Sequence, residues 1–180
     1  MRILALHGLH TNGMFLNKQS RNMQRILKDI EWIFPNSVNL SNVYNYNKYC
    51  VGPCYNWFEY DDKKYYNLDK SEEYIRSIGK FDGIMGFSQG ASFGASIIDL
   101  VDPRFFISIA GSEPIKPIKK IHKPSFHLIG LKDNKKNKSI QLKEICKNPE
   151  VYYFTEGHQF PIKNAKFFYF RLNQFLKKFR

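Results

Sequence analysis

The 180 residues carry 28 Lys plus Arg against 16 Asp plus Glu, a formal charge of +12, with 43% hydrophobic and 16% aromatic residues. That is enough apolar material for one substantial core and excludes a disordered or collagen-like chain, and no apolar run reaches the ~18 residues of a bilayer span. A basic surplus attracts phosphates, but here the lysines are spread over loops and helix faces without a zinc-finger or RNP-type motif, so nucleic acid is not the expected partner.

The opening MRILALHGLH is too short for a signal-peptide core and lacks a small-residue cleavage site. It reads as a buried strand over 2–7 that stops at Gly8, and the expected setting is cytoplasmic. Helical spacing follows over 14–30, where Phe15, Met23, Ile26, Leu27 and Ile30 recur at threes and fours. Residues 32–34 form a short strand stopped by Pro35. The stretch 36–69 has little regular patterning and many Tyr, Trp and Phe residues, so it is expected to pack against something, with a lid over a pocket as one reading.

Residues 71–78 read as a helix with Asp69 or Ser71 as N-cap and Gly79 as its stop, and 81–87 as a second buried strand. A single helix is expected over 89–101, with Gly90, Ala91, Gly94 and Ala95 turned toward a sheet. Strands follow at 105–110 and 125–129, a helix at 139–147, a strand at 151–154 and a closing helix at 165–179 with the stripe Phe168, Leu172, Phe175, Leu176 and Phe179. Strands alternating with helices through one domain, residues 1–180, predict an α/β fold with a mostly parallel sheet flanked by helices on both faces and no separate cap domain.

Three cysteines, Cys50, Cys54 and Cys146, make no disulfide framework, and the Cys50–Cys54 pair has no His or second Cys pair nearby at zinc-site spacing. No metal is expected.

The chemistry concentrates at Gly86-Phe87-Ser88-Gln89-Gly90, which matches the nucleophile elbow G-x-S-x-G between a strand and a helix. The turn holds Ser88 in a strained conformation above the carboxyl end of the sheet, and glycines on either side avoid collision with strand and helix. The same turn puts the serine at a helix N-terminus, whose partial positive charge favours a developing oxyanion. A nucleophilic serine needs a base and an orienting acid. Asp133, in GLKDN after one strand, and His158, in TEGHQF after another, follow in the order Ser, Asp, His and fall at the same sheet edge. Asp82, Asp99, Asp102 and Glu156 compete poorly for the acid's place. Among the histidines His7 and His10 are the serious rivals, and His7 is expected instead to sit beside Gly8 and shape the loop. The N–H groups of Leu9 and Gln89 are the expected oxyanion donors, Gly8 permitting close approach of the backbone.

With these residues in place, HGLHTNG, FDGIMGFSQGAS, FFISIAG, GLKD and EGHQFP together resemble the FSH-type serine hydrolases, the ovarian-cancer-associated candidate 2-like group of the α/β-hydrolase superfamily. The resemblance spans nearly the whole chain. It implies carboxylesterase or thioesterase chemistry on a small-molecule ester or acyl-thioester without a cofactor. Ser88, Asp133 and His158 fall on the family's catalytic positions, and Leu9 and Gln89 on its oxyanion positions. Where the family often has an aromatic residue after the first His-Gly, this chain has Leu9. His10, Trp57, Phe58 and Phe160 are the expected pocket residues, although the rings at 57 and 58 serve equally well to complete a core. Two rivals stay open: a non-catalytic α/β-hydrolase fold that binds a ligand or partner, and a basic nucleic-acid-binding protein, favoured by Lys163, Lys166, Arg171, Lys177, Lys178 and Arg180 near the closing helix.

Overall fold

A computed structural model describes residues 1–43, 49–61, 64–161 and 165–180. In chain order the elements are β1 (Arg2–Leu6), α1 (Gly13–Ile26), β2 (Glu31–Ile33), β3 (Asn39–Leu40), β4 (Tyr55–Asn56), β5 (Glu59–Tyr60), β6 (Tyr65–Tyr66) and α2 (Leu68–Ile78). Then come β7 (Gly83–Phe87), α3 (Gln89–Ser96), α4 (Ile98–Val101), β8 (Phe105–Ile109), β9 (Ser125–Gly130), α5 (Lys136–Glu144), β10 (Glu150–Phe154) and α6 (Lys166–Lys177). Six strands pair in the order β10-β9-β8-β7-β1-β2, every pairing parallel. The expected α/β architecture is present, and the described residues form no separate cap domain.

The strands of a sheet covered on both faces must be apolar at every position, and β1 shows how this is used. Ile3 and Ala5 face one layer, with Leu16 and Met23 of α1 and Phe168, Leu172 and Phe175 of α6. Leu4 and Leu6 face the other, with Phe93 and Ala95 of α3, Ile75 of α2, and Trp57. The period-two alternation of a strand therefore divides one run of aliphatic residues between two cores. The small residues of α3 allow close packing on the second face: a Cβ at Gly90 would lie 2.2 Å from the Leu6 carbonyl oxygen, and one at Gly94 2.9 Å from Ile84 Cγ2.

Several boundaries differ from the sequence expectation, three of them for a visible local reason. Helix α1 stops at Ile26, a turn early, where the Leu27 N–H closes on the Met23 carbonyl and Asp29 turns the chain with φ +63°. Neither Asp69 nor Ser71 caps α2. It starts at Leu68 behind Asn67 in the left-handed region, and Ser71 is buried, donating to the Trp57 carbonyl at 2.7 Å. The single helix expected over 89–101 is two, parted at Ile97. Beside the break, Ser96 Oγ donates to the Ser92 carbonyl and accepts the Ile115 N–H at 2.7 Å. Helix α5 begins and ends three residues before its expected position.

The stretch over 36–69 contains two small antiparallel pairs, β3 with β4 and β5 with β6, tied to the main body by a Thr11–Tyr55 bridge. The Tyr residues at 44 and 46 and the Lys at 163 lie outside the described residues. No described helix is long and apolar enough to cross a membrane.

Candidate active site

The carboxyl ends of β1, β7, β9 and β10 deliver Leu9, Ser88, Asp133 and His158 to one edge of the sheet, where parallel α/β sheets place their ligands. Ser88 joins β7 to α3 with φ +52° and ψ −117°, a conformation that non-glycine residues rarely adopt. Its N–H donates to the Ile109 carbonyl at 3.0 Å, and its carbonyl accepts from Ala91 and Ser92. The turn is possible because both flanking glycines are crowded by backbone: a Cβ at Gly86 would lie 2.4 Å from the Ala91 nitrogen and Cα.

Ser88 Oγ lies 2.8 Å from His158 Nε2, and His158 Nδ1 lies 2.8 Å from Asp133 Oδ2. A carboxylate only accepts, so Nδ1 carries the ring proton and Nε2 accepts the serine hydroxyl. The Asp133 side chain has no exposed surface, and its other oxygen accepts the Lys135 N–H at 2.7 Å. The His158 ring rests against Phe87, centroids 5.6 Å apart, with a quarter of its side chain open to solvent. A hydroxyl donating to an imidazole that is held by a buried carboxylate is the arrangement that makes serine nucleophilic.

Gln89 opens α3, so its N–H is among those a helix leaves without an internal acceptor. Leu9 follows Gly8, whose added Cβ would lie 3.1 Å from Phe87 Cδ1. Two cavities meet at Ser88, His158 and Leu9. One, of about 670 Å³, is walled by His10, Phe58, Tyr60, Tyr65 and Glu113. The other, of about 260 Å³, is walled by Phe15, Gln19, Phe87 and Gln159.

The rings of the rival histidines are engaged with other groups. His7 is fully buried, with Nδ1 2.9 Å from the Gly8 carbonyl oxygen and Nε2 accepting the Ser37 N–H at 3.3 Å. Burial pushes its pKa down to about 4, so it is a neutral structural group. His10 lines the larger cavity in a left-handed conformation, φ +52°, with Nδ1 2.7 Å from Ser41 Oγ. Its pKa is lowered, first by desolvation.

Of the expected pocket residues, His10 and Phe58 line the larger cavity and Trp57 and Phe160 line neither. Trp57 is sealed between His7 and Phe93, stacked on the latter with centroids 4.9 Å apart, and Phe160 belongs to the core on the α1 and α6 side. Both of these rings are buried in the core, while Tyr60 and Tyr65 join Phe58 in the cavity wall. The sequence points to tyrosines beside Trp57 and Phe58 without singling out these two, because the β5 and β6 strands that present them are two residues each, too brief for a strand pattern.

Cys50 and Cys54 have their sulfurs 3.5 Å apart, and burial, with its neighbour's help, pushes the Cys50 thiol up to about 12. No group of three metal-binding side chains occurs among the described residues. Lys116 and Lys123 are paired with Glu72 and Asp102, and Lys178 with Glu150.

Comparison with known proteins adds the lineage. Residues 1–167 match the family described as serine hydrolase (FSH1). The chain is 28% identical to the dihydrofolate reductase of Schizosaccharomyces pombe, over 89% of this chain and 44% of that protein. It is 30% identical to esterase FPY3 of Fusarium mangiferae, over 81% of each. It spans about half the length of the first curated relatives it matches, 44% and 48%. The solved carboxylesterase of Mesorhizobium loti shares the fold with a TM-score of 0.70 at 13% identity, over 98% of this chain and 88% of that one. With a family match over residues 1–167, the chain belongs to the serine hydrolase (FSH1) family.

Proposed function

We propose that the protein hydrolyses carboxylic esters, and thioesters by the same route, with residues 1–180 working as one α/β-hydrolase unit and Ser88, His158 and Asp133 as its catalytic triad. The observation that carries this reading is the unbroken relay of two 2.8 Å hydrogen bonds from Ser88 through His158 to a carboxylate sealed from water. Esterase FPY3 carries that name, and its similarity extends over most of both chains.

In the first step Ser88 Oγ attacks the substrate carbonyl carbon while its proton passes to His158 Nε2. The carbonyl electron pair moves onto oxygen, which accepts from the N–H groups of Leu9 and Gln89. Asp133 stabilises the imidazolium and holds its orientation. The carbonyl re-forms, the alcohol or thiol departs with the proton from His158, and an acyl-Ser88 ester remains. Water then attacks that ester with His158 as its base, and the carboxylic acid and free serine are released. Protein groups and water handle every proton, and the two cavities that meet at Ser88 support room for the acyl and leaving groups of an ester.

The test is labelling by a fluorophosphonate probe alongside hydrolysis of a p-nitrophenyl ester and an acyl-CoA. Wild type should label and turn over, and Ser88→Ala should not label and should lose roughly 10⁴ or more in turnover. Equal hydrolysis by the variant overturns the proposal. A wild type that neither labels nor hydrolyses leaves the rival reading, a fold that binds without catalysis.

A further inference from the structure

The two N–H groups assigned to the oxyanion lie on different elements, one after β1 and one at the start of α3. The close approach of Gly90 to the end of β1 brings these elements together at the sheet, and above that contact the segment Asn56-Trp57-Phe58 joins them a second time. Asn56 Oδ1 accepts the backbone N–H of His10, the residue after Leu9, at 3.0 Å. The Gln89 side-chain amide grips the other end: its Oε1 accepts the Trp57 N–H and its Nε2 donates to the Phe58 carbonyl, both at 2.9 Å. Between them, Trp57 Nε1 donates to the His7 carbonyl at 2.9 Å and the indole stacks on Phe93 of α3.

The strap is itself anchored. The Asn56 carbonyl accepts from Ser37 Oγ at 2.6 Å and the Trp57 carbonyl from Ser71 Oγ at 2.7 Å. Asn56 is 4% exposed and Gln89 9%, and both border the larger cavity with only a small part of their surface. The point it grips is a left-handed turn: His10 has φ +52°, an uncommon conformation for a non-glycine residue. Asn56 accepts its N–H there and Ser41 meets its ring.

We infer that the side chains of Asn56 and Gln89 are positioning residues that fix, through the strap 56–58, the spacing between the Leu9 and Gln89 N–H groups. The inference rests on the proposed hydrolase reading and deepens it. Neither side chain touches the reacting atoms in this role. Their contribution is to keep two donors aimed at an oxygen whose charge appears only in the transition state, so their loss acts on turnover more than on substrate binding.

The experiment compares wild type with Asn56→Leu, Asn56→Asp and Gln89→Met in the full chain, using p-nitrophenyl butyrate and active sites titrated with a fluorophosphonate. Asn56→Leu and Gln89→Met should each lower kcat about tenfold or more with KM within about threefold, since misplacement near 1 Å is costly at a reacting centre. Asn56→Asp, which keeps the acceptor for His10, should stay within about threefold of wild type in kcat. A trifluoromethyl ketone, whose carbonyl becomes an oxyanion when Ser88 adds to it, should lose affinity in step with kcat/KM; the non-fluorinated ketone should not.

Wild-type kcat in a folded Asn56→Leu or Gln89→Met, or a loss confined to KM, overturns the strap while leaving the hydrolase reading intact. Should Asn56→Leu fail to fold, Gln89→Met at the other end decides. A wild type inert to both ester and probe removes the hydrolase reading and the strap with it.

Discussion

The carboxylate of Asp133 meets His158 Nδ1 at 2.8 Å with none of its side-chain surface open to solvent. An acceptor so placed dictates which ring nitrogen carries the proton. Asp133→Asn presents an amide that can donate to Nδ1 and so favours the other tautomer, with the proton on the nitrogen facing Ser88. Turnover of a p-nitrophenyl ester should fall about 10⁴-fold with the fold intact. Activity within tenfold of wild type would remove Asp133 from the relay.

Ser88 holds its backbone at φ +52°, ψ −117°, where a Cβ is strained. Two variants that both lack the hydroxyl separate this strain from the proposed catalysis. Ser88→Ala keeps the Cβ and Ser88→Gly removes it, so the glycine variant should be the more stable of the two by about 1 kcal/mol, net of the added freedom of its unfolded chain. Urea unfolding of the pair measures the difference, and a glycine variant with the lower midpoint would show an unstrained elbow.

Gly90 has no room for a side chain, because the atoms that a Cβ would meet at 2.2 and 2.5 Å are the carbonyl oxygens of Leu6 and His7. Backbone in a central strand cannot retract as a flexible side chain can. Gly90→Ala should cost about 3 kcal/mol, at the upper end of overpacking penalties, and should lever α3 away from β1 and lower probe labelling of Ser88. A wild-type urea midpoint would contradict the close approach.

Two buried histidines make stability depend on pH. Desolvation pushes His7 down to about 4 and His127 to about 3, the latter also lowered by the Lys143 charge. The unfolded chain takes up protons at these groups near pH 6.5, while the folded chain does not until the depressed values are reached. Their stabilising contribution is therefore full above about pH 6.5, falls as pH drops toward 4 for His7 and 3 for His127, and levels off below. His127 has Nδ1 without a described partner and stands edge-on to Phe106. His127→Leu should flatten the dependence of the urea midpoint on pH between about 6.5 and 3 relative to wild type. Parallel curves for the two proteins would contradict the assignment.

The gap between sequence and structure is clearest in the stretch over 36–69. Its aromatic density was legible, but which rings would line a cavity was not. Trp57 and Phe58 are adjacent in sequence and have opposite fates, one buried between His7 and Phe93 and one facing the cavity. The division is made by Gln89, thirty-two residues downstream of Trp57, gripping the backbone of both. No local pattern encodes a contact of that kind. The cap of α2 escaped for a related reason: Ser71 looked free to cap the helix until the Trp57 carbonyl claimed its hydroxyl.

What the sequence determined by itself was the alternation of apolar strands with helices, the glycines around Ser88, and the order serine, aspartate, histidine along the chain. These are legible because strand alternation, helix periodicity and the steric needs of a tight turn act over a few neighbouring residues. The tertiary structure alone decided that Ser88, Asp133 and His158 come within hydrogen-bonding distance, that His7 and Trp57 belong to the interior, and that a three-residue strap joins the loop after β1 to α3. Those outcomes depend on the stacking order of six parallel strands and on competition for buried polar partners across the whole fold, which only the packed molecule resolves.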